Sequence, residues 1–84
     1  MSYKITIARK AIKTLEKISE PHYSQIKISI YQLAEDPRPI GCKKLKGRDG
    51  YRIRVGSYRI IYEIFDRVLT IDIIAIGHRK DIYD

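Results

Sequence analysis

Three arginines stand at positions 52, 54 and 59, in the stretch "YRIRVGSYRI", and residues 76 to 84 read "IGHRKDIYD", adding His78, Arg79 and Tyr83. Guanidinium groups are permanently charged planar forks that match phosphate oxygens two at a time. Histidine, with an ordinary pKa of about 6.5, can pass protons near neutral pH. Tyrosine offers a ring on which a nucleobase can stack. These types together suit the cutting of RNA. That reaction requires no metal and no protein nucleophile, because the 2′-OH of the substrate attacks the adjacent phosphate. The protein must position the strand, stabilise charge on the phosphorane and move two protons. Arginines and a tyrosine are adequate for the first two tasks, and His78 is the chemically obvious partner for proton transfer.

Other chemistries find less support in the residues. His22 and His78 are far apart in sequence, and no Cys, His, Asp and Glu cluster has metal-ligand spacing. Lys46-Gly47 lacks the spacing of a phosphate-binding P-loop, and no nucleophile triad is suggested. The single Cys42 excludes an internal disulfide and fits a reducing cytoplasm. No apolar stretch approaches a membrane span, and the N-terminus carries no secretory apolar region. Eighty-four residues make one domain at most, covering positions 1–84.

The net charge of +7 is concentrated rather than spread. From Arg38 to Arg59 there are eight basic residues and one acid, Asp49, while the other 62 residues carry nine of each sign. Such a patch points to a polyanion, nucleic acid first. Seven tyrosines against one phenylalanine suit a half-wet surface, since each has an apolar ring and a polar tip.

The elements that must position these groups follow from periodicity. "YKITI" alternates as a short strand. Ala8 to Ile18 carries Ala8, Ala11, Ile12, Leu15 and Ile18 on one helical stripe. Ser19 is the expected N-cap of a second helix, with Pro21 in its first turn and Pro37 stopping it. The segment "DPRPIGCKKLKGRDG" reads as a loop. The pattern then switches to period two: "YRIRVGSYRIIYEIF" is two strands around Gly56-Ser57, suited to a type II′ turn, and "VLTIDIIAI" is a third. The expected fold is α+β: an N-terminal strand, a helical hairpin, then a three-stranded antiparallel meander, with both helices on one sheet face.

The two-residue turn sets the register. Val55 falls opposite Tyr58, Arg54 opposite Arg59, Ile53 opposite Ile60, Arg52 opposite Ile61 and Tyr51 opposite Tyr62. One face then reads Tyr51, Ile53, Val55, Tyr58, Ile60, Tyr62 and Ile64, continued by Leu69, Ile71, Ile73 and Ala75. The other holds Arg52, Arg54, Arg59, Ile61 and Glu63, with Thr70, Asp72 and Ile74. A cross-strand pair of like charges is unfavourable unless an anion lies between them, so the arginine face reads as an anion site. The last strand returns to the Gly56-Ser57 end, and Gly77 is expected to bend the chain out of the sheet. Arg79 and Tyr83 then come within reach of the cluster.

The pattern "KKLKG…YRIRVGSYRIIYEI…IAIGHRKDIY" resembles the RelE/ParE superfamily of toxin–antitoxin systems, the RelE branch most, over nearly the whole chain. The resemblance implies a compact α+β fold of the microbial-ribonuclease type. It implies a toxin that enters the A site of a 70S-type ribosome, cuts mRNA by 2′-OH attack without a metal or cofactor, and is neutralised by a cognate antitoxin in a hetero-oligomer. Residue by residue, it places Arg52 and Arg54 where the family often has two lysines, the first proposed as base and the second as a phosphate contact. It places Arg59 at the family's arginine in the next strand, Arg79 at the general acid or charge stabiliser, and Tyr83 at the tyrosine that orients the base. Arginine at both 52 and 54 departs from the lysine-base account. Lys43, Lys44, Lys46 and Arg48 are expected to hold substrate or ribosomal RNA. Alternatives are a ParE-like toxin that binds DNA gyrase without nuclease activity, and a plain RNA-binding module.

Overall fold

In the computed structural model of the chain, which describes residues 2 to 78, the elements are β1 (Lys4–Ile7), α1 (Arg9–Glu16), α2 (His22–Leu33), β2 (Lys43–Lys44), β3 (Tyr51–Val55), β4 (Tyr58–Phe65), a 3₁₀ turn (Asp66–Val68) and β5 (Thr70–His78). The strands form one mixed sheet in the order β1-β5-β4-β3-β2. The fold is α+β, as the period switch in the sequence indicates. The meander β3-β4-β5 is antiparallel, and β1 lies beside β5 in parallel, Lys4 opposite Thr70 and Ile7 opposite Ile73.

The helices cover one face. Ala11 and Leu15 of α1 and Ile26, Ile30 and Leu33 of α2 pack with Ile53, Ile60, Tyr62, Ile71, Ile73 and Ile76 of the sheet. Spacings of three and four residues put each helical set on one stripe, and alternation puts the strand set on one face. The first helix is shorter than the periodic stretch, and Ile12 is 41% exposed rather than part of the buried stripe. The second helix starts with Pro21 as its N-cap, not Ser19. Of its first-turn donors, the Ser24 N–H is met by the Glu20 carboxylate at 3.0 Å, which also accepts the Ser24 hydroxyl at 2.6 Å, and the Tyr23 N–H by the Ser19 carbonyl at 3.1 Å.

The hairpin has the register that its turn dictates, with Arg54 opposite Arg59 and Arg52 opposite Ile61. Gly56 takes φ +58 while Ser57 stays out of the left-handed region, the φ signs of a type II′ turn. Two features of the sheet differ from simple alternation. The basic loop contains β2, where Lys43 pairs with Arg52 and Lys44 with Tyr51. Its next residue, Leu45, is buried and donates its N–H to the Gly50 carbonyl at 3.0 Å. On the β4–β5 side the register shifts between Ile61 and Tyr62, which face Ala75 and Ile73, so Ile74 is the extra residue of a bulge. Beyond it the parity of β5 reverses. Ile76, not Ala75, lies opposite Ile60 in the core, and Ala75 lies opposite Ile61 on the arginine face. Gly77 does not bend the chain away; it remains in β5, opposite Arg59.

Candidate functional site

The arginine face is built on three adjacent strands. Alternation along β3 sends Arg52 and Arg54 to the side away from the helices, and Arg59 of β4 joins them as the cross-strand partner of Arg54. Lys43 of β2 stands opposite Arg52 on the same side. Lys43, Lys44, Lys46, Arg52, Arg54 and Arg59 line a concavity of about 410 Å³. Among the described residues that lining carries six cations and no carboxylate. Arg52 is 4% exposed, as is Ile61 opposite it, whereas Arg54 is exposed. The face thus has a fixed, buried guanidinium beside a half-buried one and an exposed one, on strands rather than loops, so the charges are held before any ligand arrives. Three such forks can grip the oxygens of adjacent phosphates in pairs.

The other expected site residues fall differently. Lys44 pairs with Tyr51, and its Nζ lies 5.2 Å from the centre of that ring. Arg48 is exposed in the turn between β2 and β3, outside the lining of the concavity. His78 is not brought to the arginines. It is the partner of Tyr58, whose ring it meets edge-on at 5.6 Å, and Tyr58 packs against the helix side of the sheet and against His22 at 5.5 Å. The bulge at Ile74 is the cause, since one extra residue turns every later side chain of β5 over. Arg79 and Tyr83 lie outside the described residues.

A larger hollow, about 570 Å³, runs between α1 and the end of β5, lined by Lys10, Thr14, Lys17, Tyr58, Ile76 and His78 among others. Among the described residues its walls are mostly apolar, with Lys10 and Lys17 as its permanent charges, so the smaller basic concavity with its six cations is the better candidate for chemistry on a polyanion. At the far end of the sheet a polar clasp has formed. The Tyr3 hydroxyl donates to Asp66 at 2.7 Å, Arg38 bridges Asp66 at 3.0 Å, and its Nε donates to the Tyr51 hydroxyl at 3.3 Å. The hydrogen bonds from Arg38 and Tyr3 hold the Asp66 carboxyl below its ordinary value. Burial pushes the Tyr62 hydroxyl up, and that hydroxyl donates to the Pro37 carbonyl at 2.8 Å. This clasp is structural; it ties the segment after α2 to the sheet that carries the arginines. Among the described residues no helix is long and apolar enough to cross a membrane.

The sequence matches, over residues 5–83, the family described as ParE toxin of type II toxin-antitoxin system, parDE. It is 30% identical over 83 residues to the mRNA interferase toxin RelE of Escherichia coli (strain K12), covering 95% of this chain and 86% of that protein. The fold matches the archaeal RelE–RelB complex from Pyrococcus horikoshii OT3 with a TM-score of 0.85 and 28% identity, covering 98% of this chain and 100% of that one. It also matches the RelB–RelE antitoxin–toxin complex from Methanococcus jannaschii with a TM-score of 0.75 and 32% identity, covering 94% and 95%.

Proposed function

The chain belongs to the ParE toxin family of type II toxin–antitoxin systems and is RelE-like within it, and on that premise we propose that it is an endoribonuclease that cuts mRNA in the ribosomal A site and so arrests translation. The observation that carries this reading is the concavity of six cations, with Arg52, Arg54 and Arg59 side by side on rigid strands. In the proposed reaction Arg54 and Arg59 hold the scissile phosphate and its neighbour. Arg52, buried at the floor, adds fixed positive charge where the phosphorane becomes dianionic. The 2′-oxygen bonds to phosphorus as the bond to the 5′-oxygen breaks, leaving a 2′,3′-cyclic phosphate and a 5′-OH. The nucleophile belongs to the substrate and the charge is met by guanidinium, so the reaction calls on no metal. Arg79 steadies the charge on the leaving group, and Tyr83 stacks on the base.

The ribosome supplies what a shallow basic face lacks, a strand already splayed and aligned. Lys44, Lys46 and Arg48 contact RNA around the cleft. The partner in the resting cell is a cognate antitoxin in a hetero-oligomer, and the site of action is the cytoplasm. This rests on the relatives solved as toxin–antitoxin complexes and on the need to mask an accessible basic face.

The test is controlled expression followed by mapping of mRNA ends during growth arrest. Cuts at fixed codon positions on translated messages are expected. The family's name favours a second reading, a gyrase-binding toxin of the ParE kind; arrest with intact mRNA and damaged DNA would select it instead. No arrest at all would leave only an RNA-binding module.

A further inference from the structure

Cleavage by 2′-OH attack needs a group that takes the 2′ proton, and the arginine face narrows the choice. Arginine does not give up its proton in proteins, so Arg52, Arg54 and Arg59 can hold charge but cannot accept. His78 is on the helix side of the sheet against Tyr58. Glu63 is on the arginine face but two residues along β4 from Ile61, and it lines a separate hollow with Arg38, Asp49 and Phe65. Among the described residues, the side chains of the concavity that can exist without their proton are therefore its lysines. Lys44 is turned to the Tyr51 ring at 5.2 Å, and Lys46 lies beyond the end of β2. Lys43 alone of the three is held by strand pairing directly across from Arg52, facing the guanidiniums.

We propose that Lys43 is the proton-accepting catalytic residue of this chain, acting on the 2′-OH of a single-stranded RNA whose phosphate lies on Arg52, Arg54 and Arg59. The proposal rests on the nuclease reading above. In the step, the neutral Nζ takes the 2′ proton and the 2′-oxygen forms its bond to phosphorus. The bond from phosphorus to the 5′-oxygen breaks, and its electron pair stays on that oxygen, which is protonated from solvent. The Lys43 ammonium then returns its proton to solvent, so the enzyme ends unchanged.

The experiment compares wild type, Lys43→Arg and Lys43→Ala in single-turnover cleavage of mRNA on programmed ribosomes, with ribosome binding and thermal melting measured alongside. Arginine keeps the charge but cannot accept a proton. Lys43→Arg is therefore expected to bind within about threefold of wild type and to cleave about 10²–10⁴-fold more slowly, as slowly as Lys43→Ala. Lys43→Arg cleaving at the wild-type rate would overturn the proposal while leaving the nuclease reading intact, since charge alone would then suffice. Loss of cleavage matched by an equal loss of binding would overturn it too, making Lys43 a binding contact. Intact mRNA with the wild-type protein would remove the nuclease reading and this proposal together.

Discussion

Arg52 and Arg54 are two residues apart on one strand and one face, yet their surroundings give them opposite consequences for stability. Arg54 is exposed, and its cross-strand partner is Arg59. Like charges directly opposite each other on a sheet destabilise it by a few tenths to about 1 kcal/mol. Arg54→Gln is therefore expected to melt at the same temperature as wild type or a few degrees higher in low salt, while RNA binding weakens. Arg52 is 4% exposed beside Ile61, so its aliphatic stem is part of the packing and its removal leaves a gap. Arg52→Ala should cost roughly 1–3 kcal/mol, read by urea denaturation. A melting temperature lowered equally by both substitutions would show that the pair is not under strain. Arg79→Ala separates catalysis from binding in the same assay. The loss of one donor to transition-state charge is expected to slow cleavage about 10²–10³-fold, with ribosome binding little changed. Full activity in that variant would remove Arg79 from the site.

At the scale of elements, the strands that carry the arginines are held from the far end by the clasp of Tyr3, Arg38 and Asp66. Because Asp66 is held below its ordinary value of 3.8 by the Arg38 and Tyr3 hydrogen bonds, its contribution is complete above that value. It is lost as pH falls through the lower folded-state value. Wild type should thus melt above Asp66→Asn at neutral pH, and the gap should close in acid below about pH 4; an unchanged gap at low pH would rule the carboxylate out as the source. How much of these elements the sequence discloses depends on whether the signal is local. The β3–β4 hairpin is legible because Gly56-Ser57 forces one register and the alternation on both sides agrees with it. The arginine row follows from that alone. The strand β2 is not legible, since two lysines in a segment rich in Pro and Gly carry no period, and only the pairing with Tyr51 and Arg52 defines them. The bulge is hidden too. "TIDIIAIGH" reads as even alternation, and an apolar run gives no mark for the one residue that is extra. That residue, together with the run of β5 on through Gly77 to His78, decides where His78 points, and neither is marked in the sequence. The parallel pairing of β1 with β5 joins residues some 66 positions apart, beyond the reach of any local pattern.

For the molecule as a whole, charge and fold are separated in space. The helices and their core face carry the stability, while the excess of +7 lies between Arg38 and Arg59, a segment that contains all the described residues lining the basic concavity. A chain arranged this way should bind RNA largely through release of the counterions that the phosphates had condensed. For single strands the slope of log affinity against log salt is about −0.7 per phosphate neutralised. If all six lining cations engage phosphates, the slope is about −4, and raising salt from about 50 mM to about 200 mM should weaken binding roughly 300-fold. Each charge removed from the lining should flatten the slope by about 0.7, so Arg54→Gln and Lys46→Gln should be additive when titrated on a short single-stranded RNA. Substitution at Lys10 or Lys17, on the other side of the sheet, should leave the slope as it is. A slope near zero in wild type, or one changed as much by Lys10→Gln as by Arg54→Gln, would mean that the concavity is not where RNA binds. The fold would then be presenting its apolar groove beside α1 as the functional surface.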